Sequence, residues 1–256
     1  MRDVPILKLF AAMLVLTIVI SVIMLIPDWN GEQASTAADD IDRLLDISIV
    51  LSSFVFSVVV VMLSYAIWRW RAKPGDESDG EPIHGNTRLE IAWTAIPTLI
   101  VAFLAAISWI VLDDIEAKEP DRMPLEVTAQ QFAWEFAYPE AGKTTREFHV
   151  PVDRQLDVQL RALDVLHSFW VPEWRIKRDL VPGAPGASID DDVVVEPDRE
   201  GTFTLVCTEL CGIGHSTMRV QVVVESQAEF DAWLAQQPDT PPEDDGADEP
   251  TGSPAS

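Results

Sequence analysis

The chain has 256 residues, 48% of them hydrophobic, with 42 acidic against 18 basic residues and a formal net charge of −24. That acid excess excludes nonspecific nucleic-acid binding, which needs a basic footprint. It leaves three physical readings: a heavily solvated surface, adaptation to a salty medium, or attraction for a cationic partner. Much of the apolar content is gathered in three runs in the first half, so the length accommodates membrane segments plus one domain of ordinary size.

The first run extends from Ile6 to Ile26, with Lys8 near its start and Pro27-Asp28 at its end. The second, Leu44 to Trp68, carries one charge, Asp46, and the third, Ile91 to Leu112, carries none. About 20 apolar residues at 1.5 Å each cross the hydrocarbon core, so each run predicts a membrane-spanning helix. Tyr65, Trp68, Trp70, Trp93 and Trp109 stand where interfacial aromatic belts form. Arg69, Arg71, Lys73 and Arg88 cluster between the second and third runs, whereas Pro27 to Asp46 is mostly acidic with Arg43 its sole basic residue. The positive-inside rule therefore places the 69–90 link in the cytoplasm and everything after Leu112 outside. Arg2 and Lys8 put the extreme N-terminus inside, in agreement. The first run is longer than a usual signal core, yet Gln33 to Ala38 offers small residues for cleavage, so both a signal peptide and a retained helix fit.

From Met123 the pattern changes. Leu125–Thr128 and Leu156–Arg161 alternate apolar and polar residues, and Val193–Val195, Thr202–Val206 and Arg219–Val224 are short β-rich runs. Pro139, Gly142, Pro151, Pro182-Gly183, Pro185-Gly186, Pro197 and Gly201 punctuate them, which predicts a β-sandwich or small barrel. Ser226 to Gln236 reads as one amphipathic helix with Phe230, Trp233 and Leu234 on one side. After Pro238 the chain has almost nothing to bury and reads as a disordered tail.

The only two cysteines lie in Cys207-Thr208-Glu209-Leu210-Cys211-Gly212-Ile213-Gly214-His215-Ser216-Thr217-Met218. Two cysteines on an outer face read, by themselves, as a structural disulfide. Their neighbours oppose that reading. His215 and Met218 share the loop, His167 stands upstream in Leu166-His167-Ser168-Phe169-Trp170, and a lone His or Met would be ordinary packing where the whole set is not. Thiolates, imidazoles and a thioether are the donors copper prefers. Cys-x-x-x-Cys-Gly is not a c-type haem attachment site.

Cys207-x-Glu209-x-Cys211-x-x-x-His215-x-x-Met218 resembles the dinuclear copper (CuA) motif of subunit II of haem–copper cytochrome c oxidases. Asp164-Val165-Leu166-His167-Ser168-Phe169-Trp170-Val171-Pro172 is similar to that family's upstream ligand segment. Arg88-Leu89-Glu90-Ile91-Ala92-Trp93-Thr94-Ala95-Ile96-Pro97 resembles the opening of its second hairpin helix. The resemblance implies a membrane α-helical hairpin, preceded by a signal peptide or extra transmembrane helix and followed by an all-β cupredoxin-like Greek-key sandwich. In those terms residues 1–38 form the signal or first helix with an acidic linker, 39–118 the hairpin, 119–237 the CuA domain with its terminal helix, and 238–256 the acidic tail.

The same resemblance implies that Cys207 and Cys211 bridge two coppers and that His167 and His215 each bind one. Met218 and the Glu209 main-chain carbonyl are then weak axial ligands, and the Glu209 carboxylate faces a magnesium ion shared with subunit I. It implies an electron-receiving subunit in the plasma membrane of a prokaryote, its copper domain on the extracytoplasmic face. There it takes electrons from a cytochrome c or a small copper protein and passes them to the haems of subunit I, where oxygen becomes water and protons are translocated. Subunit III and membrane lipid complete the partners. Glu90 is then the mouth of a proton pathway, against the plainer reading of an acid favoured at a helix N-terminus. One departure stands out. Where the family usually reads His-Gln-Trp-Tyr-Trp, this chain reads Gln130-Gln131-Phe132-Ala133-Trp134, so Phe132 occupies the usual electron-receiving position and Trp134 is either its substitute or a core residue. His84 and His149, without partners nearby in sequence, read as surface residues. The rival functions are a CuA subunit of a nitric- or nitrous-oxide reductase, a membrane-anchored copper carrier or chaperone, a quinol oxidase subunit, and a disulfide domain without metal.

Overall fold

The computed structural model describes residues 4–240 except 28, 30, 73, 76–78, 80–81, 83 and 184–191. Arg2, Lys73, the Pro185-Gly186 turn and the tail from 241 onward lie outside the described residues. The chain divides into two compact units, Met1–Ala117 with Pro172–Arg175, and Lys118–Val171 with Ile176–Ser256.

Among the described residues the first unit carries three helices long and apolar enough to cross a membrane: α1 (Ile6–Leu25), α2 (Ala38–Trp70) and α3 (Thr87–Ile115). Helix α2 begins six residues before its apolar run. Asp39 and Asp40 sit in its first turn, where the helix dipole favours acids. Arg43 pairs with Asp39 at 2.6 Å and Asp40 at 3.2 Å, one turn away. Its 33 residues rise about 50 Å, more than a hydrocarbon core of about 30 Å. Along α1 and α3, Leu7, Phe10, Val15, Ile96, Leu99 and Phe103 are exposed, as lipid-facing side chains would be. Asn86 caps α3 by accepting from Leu89 N at 3.2 Å. In the same unit Arg175 donates to both carboxylate oxygens of Asp42 at 2.9 Å, and also to the main-chain oxygens of Gly31 and Glu32.

Among the described residues the second unit contains ten strands: β1 (Met123–Gln130), β2 (Ala133–Tyr138), β3 (Lys143–Thr145), β4 (Phe148–Pro151), β5 (Leu156–Ala162), β6 (His167–Val171), β7 (Ile176–Leu180), β8 (Asp192–Val195), β9 (Gly201–Cys207) and β10 (Arg219–Glu225). One sheet runs β3-β2-β1-β5-β8 and the other β4-β10-β9-β6-β7. The β1/β5 and β10/β4 pairs are parallel and the remaining pairs antiparallel. Strand β1 shows the alternation its sequence predicts, with Leu125, Val127 and Ala129 buried. Rings from both sheets fill the interior. Phe136 of β2 stacks on Phe148 of β4 at 4.4 Å, and Trp134 of β2 meets Phe169 of β6 edge-on at 6.4 Å. Helix α4 (Gln227–Leu234) follows, closed by a capping box in which Ser226 and Glu229 serve each other's backbone N–H.

Four of these strands have no clear signature in the sequence, for physical reasons. Strand β6 buries four of its five residues, so it shows no alternation. Strand β7 buries only its terminal Ile176 and Leu180 around a charged centre. Strands β3 and β4 are three and four residues long, below what a periodicity can reveal.

Candidate metal centre

The ends of the three inner strands of the second sheet, β10, β9 and β6, meet. Phe169 of β6 is opposite Cys207 of β9, and Arg219 of β10 is opposite Val206. The 208–218 loop therefore leaves β9 and returns to β10 beside the first residue of β6, His167. Cys207 N donates to Met218 O at 3.1 Å and Thr208 N to Ser168 O at 3.3 Å, which pins both ends of the loop. Inside it, His215 N donates to Gly212 O and Thr217 Oγ1 to Gly214 O, turning His215 back toward the cysteines.

The donor atoms converge. Cys207 Sγ lies 3.9 Å from Cys211 Sγ, 3.8 Å from His167 Nδ1 and 3.4 Å from Glu209 O. Cys211 Sγ lies 3.6 Å from His215 Nδ1 and 3.9 Å from Met218 Sδ. His167, Cys207 and Cys211 are buried, with their donor atoms all within 4.8 Å of one another. Both cysteines are free thiols. Two donors sharing one first-row ion, at about 2.3 Å for sulfur and about 2.0 Å for nitrogen in a tetrahedral arrangement, would stand about 3.5 to 3.8 Å apart. The observed spacings match that geometry, and the soft donors fit copper.

Burial pushes the Cys211 thiol up to about 11, and the neighbouring Cys207 reinforces the shift. A buried thiol held up in this way keeps its proton until a cation replaces it. Partial desolvation raises Asp164, but hydrogen bonds from His167, Gln131 N and Val165 N outweigh it and hold the carboxyl below its ordinary value. Asp164 Oδ1 accepts from His167 Nε2 at 2.9 Å. An ionised carboxylate only accepts, so Nε2 is the donor to Asp164 and Nδ1 is the ring nitrogen that faces Cys207 Sγ.

The two aromatic candidates separate clearly. Phe132 is 37% exposed and lies against the loop, so close that a Cβ on Gly214 would meet its Cγ at 2.5 Å. Trp134 is 4% exposed and packs in the core, its ring 6.4 Å from the His167 imidazole. Glu90, in the first unit, accepts from Asn86 N at 3.1 Å and so closes the N-terminus of α3. His84 is exposed, as expected. His149 is not the surface residue its sequence context suggested. Its ring stacks on Trp233 at 4.0 Å and its Nδ1 lies 2.9 Å from Glu225 Oε1, because the β4/β10 pairing and helix α4 bring distant residues over it. Two residues the sequence reading passed over also reach the site. Asp164, three positions before His167, was available as a signal; Gln131, whose Nε2 donates to Cys211 O at 2.6 Å, was not.

Comparison with known proteins follows the same lines. The transmembrane domain profile of cytochrome c oxidase subunit II matches residues 30–111, and the periplasmic domain profile matches residues 141–227. The chain is 32% identical to cytochrome c oxidase subunit 2 of Thermostichus vulcanus over 84% of its own length and 82% of the relative's. The chain belongs to the cytochrome c oxidase subunit II family. Subunit 2 of Synechocystis sp. is 28% identical, covering 90% of this chain and 84% of that one. Among solved structures, the periplasmic domain of subunit II of cytochrome oxidase of Bradyrhizobium japonicum is similar at 26% identity and a TM-score of 0.42, over 46% of this chain and 95% of that one. As a subunit II, the chain is part of a haem–copper oxidase. It is a membrane protein whose apolar helices precede a cupredoxin-like extracytoplasmic domain, and that family implies copper.

Proposed function

We propose that the 167–218 cluster is a dinuclear CuA centre through which this subunit receives electrons for the oxidase. The observation that supports it most is the paired arrangement of donors. Each cysteine sulfur faces the other, one imidazole and one weak donor: His167 and the Glu209 carbonyl beside Cys207, His215 and Met218 beside Cys211. A bound copper pair would supply one-electron exchange with little change in bond lengths. The chain's own residues hold His167 and Cys207 on strand ends and the other donors on the loop pinned between β9 and β10, exclude water by burying His167, Cys207, Cys211 and Met218, and tune the centre through the hydrogen bonds of its ligands.

In this reading an external cytochrome c or small copper protein supplies the electrons, which reach the haems of subunit I where oxygen is reduced to water with proton translocation. Phe132, at the surface beside the loop, is the better placed electron-receiving residue, and Trp134 packs behind His167. The Glu209 carboxylate would serve a magnesium ion shared with subunit I, and Glu90 would open a proton path. Subunit III, a prokaryotic plasma membrane, and the division into 1–38, 39–118, 119–237 and 238–256 belong to the same proposal. A quinol oxidase subunit would lack these donors; all six are present.

The test is copper content and company. Purification of the chain from its native membrane is expected to bring a haem-bearing subunit and two coppers per chain, with Cys207→Ser or Cys211→Ser losing the copper. Copper-loaded chain recovered without any haem partner would instead indicate a carrier, and a chain without copper would end the reading.

A further inference from the structure

We propose that Asp164 and Gln131 form a clasp that positions the two halves of the metal centre against each other from outside the ligand set. The inference rests on the copper reading for its purpose, but its geometry stands on this chain alone. Asp164 Oδ1 accepts from His167 Nε2 at 2.9 Å and from Val165 N at 2.7 Å, while its Oδ2 accepts from Gln131 N at 2.7 Å. Gln131 in turn donates from Nε2 to Cys211 O at 2.6 Å. These bonds run without a break from the β6 ligand His167, through the β5–β6 loop and the β1–β2 turn, to the ligand loop at Cys211. No part of the chain of bonds passes through the metal position.

The ligand loop is shaped to receive the clasp. Gly212 has φ +137°, and a Cβ there would lie 2.9 Å from Gln131 Nε2 and 3.1 Å from the Phe132 ring. Glycine at that point supplies both the backbone conformation and the close approach that lets the glutamine reach the carbonyl. Two consequences follow. The carboxylate fixes the His167 tautomer, so Nδ1 faces the cysteines as an acceptor before any metal arrives, and it makes that nitrogen a better donor to a cation. The Gln131 bond sets the height of the Cys211 loop relative to β6, and hence the separation of the two sulfurs. Asp164 and Gln131 are therefore positioning residues.

The experiment uses the full chain in detergent, with Asp164→Ala, Asp164→Asn, Gln131→Ala and the Asp164→Ala/Gln131→Ala double variant. In metal-free protein, nitrogen NMR of His167 is expected to show a single Nε2–H tautomer in the native chain and a mixture in Asp164→Ala. Asp164→Asn keeps an acceptor for Nε2–H and is expected to keep the tautomer while removing the charge. For copper-loaded protein, chelator competition is expected to show about 10–100-fold weaker retention in Asp164→Ala, and the reduction potential to rise in both Asp164 variants as the anion is lost. The double variant is expected to cost less than the sum of its single changes, because the two residues act in one network. If Asp164→Ala does not fold, Asp164→Asn and Gln131→Ala decide. An unmoved potential in Asp164→Asn, or unaltered copper retention in Gln131→Ala, overturns the clasp. A native chain that takes no copper would sink the copper reading, whereas a native His167 with mixed tautomers would sink the clasp separately.

Discussion

Substituting Gly214 by alanine tests how tightly the ligand loop is packed. Gly214 sits at φ −91° and ψ 4°, a conformation open to alanine, so any cost is steric. The new Cβ would lie 2.5, 2.6 and 2.9 Å from Cγ, Cδ2 and Cδ1 of Phe132. Carbon atoms rest about 3.5 to 4.0 Å apart, so something must move by roughly 1 Å. The contact is with the root of the ring, not its far edge, and the preceding Gln131 is bonded at both its backbone N and its side chain. The ring therefore cannot swing away freely. Overpacking of this kind costs about 1–3 kcal/mol, or about 5- to 150-fold in the folding equilibrium, and it displaces the adjacent ligand His215. Urea unfolding, followed by amide exchange in β9 and β10 of the metal-free chain, reads the stability, and the copper spectrum reads the ligand shift. Adding Phe132→Ala to Gly214→Ala removes the clash and should recover most of the loss in a double-mutant cycle. A Gly214→Ala chain as stable as the native one, or one equally damaged with Phe132→Ala present, would refute the packing described here.

Three further outcomes follow from other parts of the molecule. Burial, reinforced by the Glu225 charge and opposed by the His149 N–H, holds the Tyr138 phenol above its usual value of 10.0. Unfolded tyrosine then loses its proton first, so this contribution is complete below about pH 10 and is lost as pH rises beyond it, by at most about 1.4 kcal/mol per pH unit. Urea midpoints should fall more steeply between pH 9 and 11 in the native chain than in Tyr138→Phe, and parallel curves would contradict this. Glu90→Gln keeps an oxygen that can accept from Asn86 N, so α3 should stay capped while proton uptake by the assembled oxidase slows and copper reduction stays intact; unchanged turnover would leave Glu90 as a helix cap alone. The acid excess should make turnover with a basic donor fall as ionic strength rises, and a flat curve would remove the steering role.

The sequence made the membrane helices visible because lipid demands long uninterrupted apolar runs, and the proposed metal ligands visible because Cys207, Cys211, His215 and Met218 crowd into one short loop, with His167 in a distinctive segment upstream. It did not reveal how far α2 extends, since Asp39, Asp40 and Arg43 look like linker until their pairing along the helix is seen. His149 was misjudged because Glu225 and Trp233 are more than seventy residues away in sequence and come together only through sheet pairing. Gln131 was hidden for a similar reason. Its target is a main-chain carbonyl, which carries no residue-type signal. The ligand strand β6 was read as a motif and not as a strand, since burial on both faces removes the alternation that marks a strand.

The most direct measurement is the electron-spin resonance spectrum of the full chain loaded with copper and held one electron short of full reduction. A thiolate-bridged pair sharing that vacancy predicts a purple protein with a many-line hyperfine pattern, as the unpaired spin couples to both nuclei. A four-line spectrum from one isolated copper, or colourless protein with residues 207 and 211 oxidised to each other, would contradict it.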